Sequence, residues 1–404
     1  VALLVQKYGG TSVADPDQIR SVADYVARAR RRGDDIVVVV SAMGKETDEL
    51  LHLAQQVSGV QPGRELDMLI TVGERKTMAL LCMALAELNC PAASFTGSQA
   101  GIITDTAHSR AKIVEVNPDR VKQAVAEGKV AVVGGAQGMS TDRDVTFLGR
   151  NASDLTGVAL AHALGADACE IYTEFSGIYT ADPRILPSAR KLKLLSFDEL
   201  LEMTASGCPK PQMRAVEFAR NHKVPLHIRS SFTWEPGTWI KEEDQVMEQA
   251  VVSAVVHDTS EAKVTVTHVP DRPGIAARLF RSLADEHVNV DTIVQNVSIH
   301  GTTDISFTVP RADLAKGLEV CRSHADEIDA AEVLADDNIA KVSLIGAGMK
   351  TNPGIAAAMF ETLAAQGINI EMISTSPIRI TCVVEAGDVE KAVAALHEAF
   401  ELEQ

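Results

Sequence analysis

Lys7, Gly9 and Gly10 occur in the order that a phosphate site requires. In Leu3-Leu4-Val5-Gln6-Lys7-Tyr8-Gly9-Gly10-Thr11-Ser12-Val13 an apolar run leads directly into a lysine and a glycine pair. Paired glycines let the backbone approach an anion with its N–H groups exposed, Lys7 supplies a full positive charge, and Thr11 or Ser12 can cap the helix expected to follow. Four further clusters carry groups of the same kind. They are Ser41-Ala42-Met43-Gly44 with Thr47, Gly73-Glu74-Arg75, Gly149-Arg150-Asn151-Ala152-Ser153-Asp154, and the run from Thr173 to Arg184. Taken singly, each has a plain structural reading. Lys7 reads as a solvated lysine at a strand–turn–helix junction, Arg150 and Asp154 as an i,i+4 ion pair, Glu74 as a first-turn carboxylate favoured by the helix dipole, and Ser41 and Thr47 as turn residues.

These clusters need a scaffold that brings them together. Apolar runs at Leu3 to Val5, Ile36 to Val40, Val130 to Val133, Glu170 to Tyr172 and Pro225 to Ile228 read as buried strands. Between them, Gln18 to Arg30, Asp67 to Leu88 and Ser153 to Leu164 carry a helical period. Such alternation predicts a mainly parallel sheet sandwiched between helices, with ligands at the carboxyl ends of the strands, where the polar clusters fall.

The last third contains an internal repeat. Lys263-Val264-Thr265-Val266 matches Lys341-Val342-Ser343-Leu344, Pro273-Gly274-Ile275-Ala276 matches Pro353-Gly354-Ile355-Ala356, and Val288-Asn289-Val290-Asp291 matches Ile368-Asn369-Ile370-Glu371. Each copy reads as a βαββαβ unit. The expected domains are residues 1–240, 250–334 and 335–404, with a polar linker or surface helix at 241–249.

Composition narrows the function. The chain has 404 residues, 46% hydrophobic and 23% charged, with only 4% aromatic, so several aliphatic cores are expected. A net charge of −17 argues against nucleic acid and anionic membrane as partners. The six cysteines show no CxxC spacing and the histidines no HExxH, so neither a metal site nor a disulfide framework is expected. The first residues enter a strand directly, and a cytoplasmic location is expected.

Together the motifs resemble the amino-acid kinase superfamily, and its aspartokinases in particular, over nearly the whole chain. The repeats resemble the tandem ACT regulatory domains of the actinobacterial, lysine- and threonine-sensitive type. Stretches such as Ser94-Phe95-Thr96-Gly97-Ser98-Gln99-Ala100-Gly101 and Gln295-Asn296-Val297-Ser298 add to the likeness. The resemblance implies transfer of the ATP γ-phosphoryl group to the β-carboxylate of L-aspartate, with Mg2+ carried by the nucleotide. A carboxylate is already ionised at neutral pH, so the reaction needs positioning and charge neutralisation rather than a base.

By the same resemblance, Lys7 and the N–H groups near Gly9 and Gly10 stabilise the moving phosphoryl, and Asp154 orients Lys7 and the metal–nucleotide. Ser41, Thr47, Glu74, Arg150 and Ser153 hold aspartate, with Arg150 clamping a carboxylate and Glu74 the ammonium. Thr173, Glu174, Tyr179, Asp182, Arg184 and Lys210 are expected beside the nucleotide. Asp271, Gly274, Ala276, Asn289 and Gln295, with Ser376, are expected around an amino-acid effector. The resemblance also implies an oligomer, either of identical chains or of the α2β2 type with an internal start near Met247.

The departures from the family pattern concentrate on nucleotide-side loops. Asn151 and Ala152 replace two glycines, Glu174-Phe175-Ser176-Gly177 and Gly135-Ala136-Gln137-Gly138 depart from the usual sequences, and Lys210 is displaced by one between prolines. An alanine forced to positive φ would cost about 1 kcal/mol or more. A second reading is therefore a divergent paralogue with altered or lost nucleotide use that serves as an amino-acid-binding regulatory protein or in a specialised pathway. Pro377 stands where relatives generally carry a glutamate, which implies an effector site favouring threonine over lysine.

Overall fold

The computed structural model describes residues 2–242, 251–296 and 301–403. Most of the expected linker, and Met247 within it, lies outside them. The chain divides into two compact units. The second takes Tyr179–Arg190 and Ala205–Cys208 along with the C-terminal third.

The first unit is built on an eight-stranded sheet, whose order runs Leu194–Ser196, Thr238–Lys241, Leu226–Ser230, Ala168–Thr173, Leu3–Tyr8, Asp35–Val40, Val130–Gly134, Ala92–Phe95. All neighbours pair parallel except Leu226–Ser230 with Thr238–Lys241. Every residue from Ile36 to Val40 is buried, so both faces of the central strands are covered, as a continuous apolar run requires. Tyr8, Ile36, Val38 and Val40 share one core with the helices Pro16–Arg31 and Val72–Glu87. Strand Leu3–Tyr8 lies between the next strand in sequence and one that follows over 100 residues later, which makes its carboxyl end the switch point of the sheet.

Helix Pro16–Arg31 starts on Asp15, whose side chain accepts from the Gln18 N–H at 2.9 Å, with Pro16 in the first turn. Thr11 and Ser12 are therefore not its caps. Thr11 instead donates to Glu174 at 3.1 Å, and Ser12 accepts from Ser231 at 2.7 Å. The helix expected over Asp67 to Leu88 is two helices, Gly63–Ile70 and Val72–Glu87. They divide at Thr71, whose hydroxyl turns back to the Asp67 carbonyl at 2.9 Å. Asp67, fully buried, also fastens the following loop by accepting from Ser109 N–H at 3.0 Å and Phe147 N–H at 3.0 Å.

In the second unit the first repeat forms a complete βαββαβ fold. Its sheet order is Ile293–Gln295, Thr302–Pro310, Glu261–Pro270, Glu332–Asp336. In the second repeat the strand equivalent to Glu332–Asp336 comes from elsewhere in the chain. This outer strand is Ala254–Asp258, which precedes the first repeat in the chain and pairs antiparallel with Ile339–Ile345, just as Glu332–Asp336 pairs with Glu261–Pro270. The stretch after residue 250, expected with the first repeat, thus completes the sheet of the second. Periodicity could not reveal this, because a strand read in isolation carries no record of its partner.

Gly274 and Gly354, at φ 96° and 102°, start matching helices, as the repeated Pro-Gly turn predicts. The repeats are tied by reciprocal ion pairs at matching positions. Lys341 reaches Asp291 at 2.7 Å, and Lys263 pairs with Glu371. Among the described residues all six cysteines are free, and no helix is long and apolar enough to cross a membrane.

Candidate active site

The carboxyl ends of Leu3–Tyr8, Asp35–Val40 and Ala168–Thr173 open onto a cleft of roughly 300 Å³. Its walls include Lys7, Gly9, Gly10, Ser41, Thr47, Glu74, Arg150, Ser153, Thr173, Glu174 and Lys210. Five stretches far apart in sequence, and the loop bearing Lys210, are thereby gathered by the fold.

One part of the cleft is cationic. Lys7 Nζ lies 2.6 Å from Asp154 Oδ1, and both side chains are buried. Burial alone would push the Asp154 carboxyl up, but the ammonium groups of Lys7 and Lys210 outweigh it and hold the carboxyl below its ordinary range. Asp154 also accepts from the Gln212 N–H at 2.9 Å. Burial, and then Lys7, make the Lys210 ammonium easier to deprotonate than usual. Two lysines close to one carboxylate leave a net positive charge that suits phosphate oxygens. The Gly9 N–H already donates to the Tyr172 carbonyl at 3.3 Å, so a phosphoryl oxygen has to compete for it. Gly10 is needed for close packing, since a Cβ there would meet the Ala42 carbonyl oxygen at 3.0 Å and that of Gly44 at 3.1 Å.

Other walls suit an amino acid. Glu74, only 3% exposed, has a buried Oε2 with no hydrogen-bond partner. Burial raises its pKa to about 7. Backbone hydrogen bonds at Glu74 and Ala42 offset part of this, but a buried carboxylate oxygen left without a partner beside a cleft is a costly feature unless a ligand cation completes it. Ser41 and Ser153 share a hydrogen bond at 2.9 Å. Arg150 does not pair with Asp154. It reaches Asp48 at 2.6 Å, with both side chains more than half exposed.

The altered loop is locally consistent. Asn151 carries the positive φ, 61°, while Ala152 sits at φ −73° and pays no left-handed cost. The Ala152 methyl is fully buried against a small core that includes Ala136, Phe147 and Leu148. Lys210, though displaced by one, donates to Asn151 Oδ1 at 2.8 Å, so the asparagine accommodates the lysine shift.

Three expected nucleotide residues are not in the cleft wall. Tyr179, Asp182 and Arg184 belong to Tyr179–Arg190 of the second unit. There Asp182 binds Arg184 at 2.6 Å, and Ala181, Ile185 and Leu186 pack into the core of the second repeat. The expected effector residues spread over both repeats. Asp271 receives no helix cap role but donates its N–H to the Gly301 carbonyl at 3.0 Å, and Gly274 precedes helix Ile275–Asp285. Ala276 lies in that helix, exposed Asn289 follows it, Gln295 ends strand Ile293–Gln295, and Ser376 ends Met372–Ser376.

Sequence reasoning missed the network beneath the cleft floor. Glu170 binds Arg229 at 2.9 Å, Gln6 at 2.9 Å and Tyr172 at 2.9 Å. Its desolvation is overcome by the His227 hydrogen bond and the Arg229 charge, which hold the carboxyl at about 2. Tyr8 stacks on Tyr172, so the residues flanking Lys7 and Thr173 are locked to one another. A glutamate within the apolar run Ala168 to Tyr172 was the available signal, since a charge there demands a buried partner.

Comparison with known proteins adds independent findings. Residues 2–230 match the model of the amino acid kinase family, and residues 264–324 and 342–400 each match an ACT domain model. The chain is 53% identical to an aspartokinase of Mycolicibacterium smegmatis, across 100% of this chain and 97% of the relative. It is 51% identical to that of Corynebacterium glutamicum, with the same coverage. Among solved structures, an aspartate kinase from Synechocystis is 43% identical, with a TM-score of 0.56, covering 99% of this chain and 69% of its own. Aspartokinase III of E. coli, in complex with aspartate and ADP, superposes with a TM-score of 0.84 at 22% identity, covering 98% of this chain and 99% of its own, a likeness of fold.

Proposed function

The chain belongs to the amino acid kinase family and to its aspartokinases, and from that premise we propose which residues handle the phosphoryl group and which hold the acceptor. Aspartokinases transfer the ATP γ-phosphoryl group to the β-carboxylate of L-aspartate, giving 4-phospho-L-aspartate, and this is the reaction assigned to the chain. Full-length relatives at about half identity disfavour the alternative of a regulator without turnover. So does the relaxed geometry of Asn151 and Ala152.

The observation that supports the assignment of roles is the unpartnered Oε2 of the buried Glu74 carboxylate, in the same cleft as the Lys7 and Lys210 cations. Glu74 receives the α-ammonium of aspartate, Arg150 grips its α-carboxylate, and Ser41, Thr47 and Ser153 contribute hydroxyls. The β-carboxylate, ionised without help, then faces the γ-phosphorus. Lys7, held by Asp154, neutralises charge on the transferring group, with Gly9 and Gly10 beside it. Thr173, Glu174 and Lys210 border the nucleotide. The same role for Tyr179, Asp182 and Arg184 has less support, because none lines the cleft.

Among the described residues no cluster of three or more metal-ligating side chains occurs. Asp154 is already neutralised by lysines, so the residues suit a Mg2+ ion that arrives on the ATP phosphates rather than one held by a protein cage. Mg2+ would there spread the phosphate charge. The work is that of a cytoplasmic enzyme of amino-acid biosynthesis, assembled as an oligomer. Ile293 and Ile373, at equivalent exposed positions on outer strands of the two repeat sheets, are suited to contact another subunit.

Arg150→Ala tests the acceptor half. The KM for aspartate should rise roughly tenfold or more, the usual worth of a charge-assisted hydrogen bond, while the KM for ATP changes little. Hydroxylamine trapping of the acyl phosphate supplies the assay. An unchanged KM for aspartate removes Arg150 from the site.

For regulation we propose a site near Asp271, Gly274, Ala276, Asn289, Gln295 and Ser376 that prefers threonine to lysine, because Pro377 offers no carboxylate to a lysine ammonium. Lysine should bind roughly tenfold or more weakly than in a glutamate-bearing relative, and Pro377→Glu should recover it. Calorimetry on the full chain decides. Tight lysine binding that Pro377→Glu does not improve would show that the ammonium has another partner.

A further inference from the structure

We propose that Asp48 is an internal competitor for the acceptor, its carboxylate occupying the guanidinium that the substrate carboxylate must take. The inference rests on the reading of Arg150 given above. Asp48 Oδ1 lies 2.6 Å from Arg150 Nη2, and both residues line the cleft. A carboxylate on a guanidinium is the same contact that an amino acid's α-carboxylate would make there.

Asp48 lies in the first turn of helix Glu46–Val57, directly after Thr47. Its side chain therefore projects from the segment that borders the acceptor rather than from the nucleotide side. The side chains are 62% and 56% exposed, so the pair is screened by water and opens at little cost. A buried pair would lock the arginine, whereas an exposed one parks it. Asp48 holds the guanidinium at the cleft wall, and substrate exchanges one carboxylate for another. Asp48 thus raises the concentration of aspartate needed for saturation. It is a positioning residue acting through Arg150, without a role in the transfer itself.

The exchange makes a signed prediction. Asp48→Asn should lower the KM for aspartate by about two- to fivefold, the range expected for releasing an exposed ion pair, without a matching change in the KM for ATP. Glu49→Gln removes a neighbouring exposed carboxylate on the same helix that forms no ion pair with Arg150 among the described residues, and should leave the KM for aspartate in place. In an Arg150→Ala background, Asp48→Asn should have no further effect, since the competition then has no object.

The outcomes separate the two readings. If Arg150→Ala leaves the KM for aspartate unchanged, the clamp itself is wrong and the competitor falls with it. If Arg150→Ala weakens aspartate while Asp48→Asn leaves its KM unchanged or raises it, the clamp stands and the competitor is rejected. A decrease equalled by Glu49→Gln, or one that persists without Arg150, assigns the effect to general charge and also rejects it.

Discussion

Lys7→Ala is expected to lower kcat by about a thousandfold or more, at the upper end of what removal of one preorganised charge from a developing anion costs. Aspartate binding should remain near the wild-type value, because Lys7 is assigned to the moving phosphoryl and not to the acceptor. The truncation also leaves Asp154 buried without its closest cation, and breaking a buried pair typically costs about 3–5 kcal/mol. Loss of activity could then reflect loss of fold. The double variant Lys7→Met, Asp154→Asn removes both charges together and should fold closer to the wild type while staying inactive. Single-turnover kinetics and aspartate calorimetry on both variants provide the check, and a wild-type kcat in either overturns the role of Lys7.

Glu74→Gln should weaken aspartate binding by roughly tenfold or more and at the same time stabilise the empty protein. Burial raises the Glu74 pKa from 4.5 to about 7. Between those values the folded chain keeps a proton at Glu74 that the unfolded chain has released, so the contribution of this residue to stability is highest below about pH 4.5 and declines as pH rises to about 7, whereas those of Glu170 and Asp154 are lost as pH falls. The full difference corresponds to about 3 kcal/mol, an amount that the glutamine variant should recover at pH 8 and not at pH 4.5. Aspartate binding runs the other way. The ammonium needs the ionised carboxylate, so affinity should fall about tenfold for each pH unit below 7 and level off above it. Melting temperatures and calorimetry at pH 6 and 8 test both signs. A glutamine variant that binds aspartate as tightly as the wild type, or an affinity flat between these pH values, shows that the ammonium is held elsewhere.

On the proposed assignment, stability is given up to keep one carboxylate oxygen ready: Glu74 has hydrogen bonds to the backbone at Glu74 and Ala42, but its buried Oε2 has no partner. Glu170, equally enclosed, has Arg229, His227, Gln6 and Tyr172 around it and is held at about 2. The two glutamates differ in what surrounds them, which fits Glu170 as a structural anion and Glu74 as the proposed partner of a ligand cation.

The amino-acid sequence by itself determined the layered α/β scaffold, the repeated C-terminal unit and most of the cleft wall. These features are local. Unbroken apolar runs demand strands covered on both faces, the Pro-Gly turns start helices in the repeats, and polar clusters at strand ends mark the side where ligands bind. Lys7 was legible from the strand, lysine and glycine order, whereas Ser41, Glu74, Arg150, Ser153 and Lys210 were marked by resemblance to the family's motifs, and all six line one cleft.

What only the tertiary structure decided was partnership. Ala254–Asp258 completes the sheet of the second repeat, across the whole length of the first. Arg150 rests on Asp48 and not on the nearer Asp154, which Lys7 already holds. Asn151, and not Ala152, takes the left-handed turn, leaving the alanine methyl to fill a core. In each case the residues concerned have several chemically equivalent partners along the chain. Spatial proximity, set by sheet order and by the competition among buried charges, selects one.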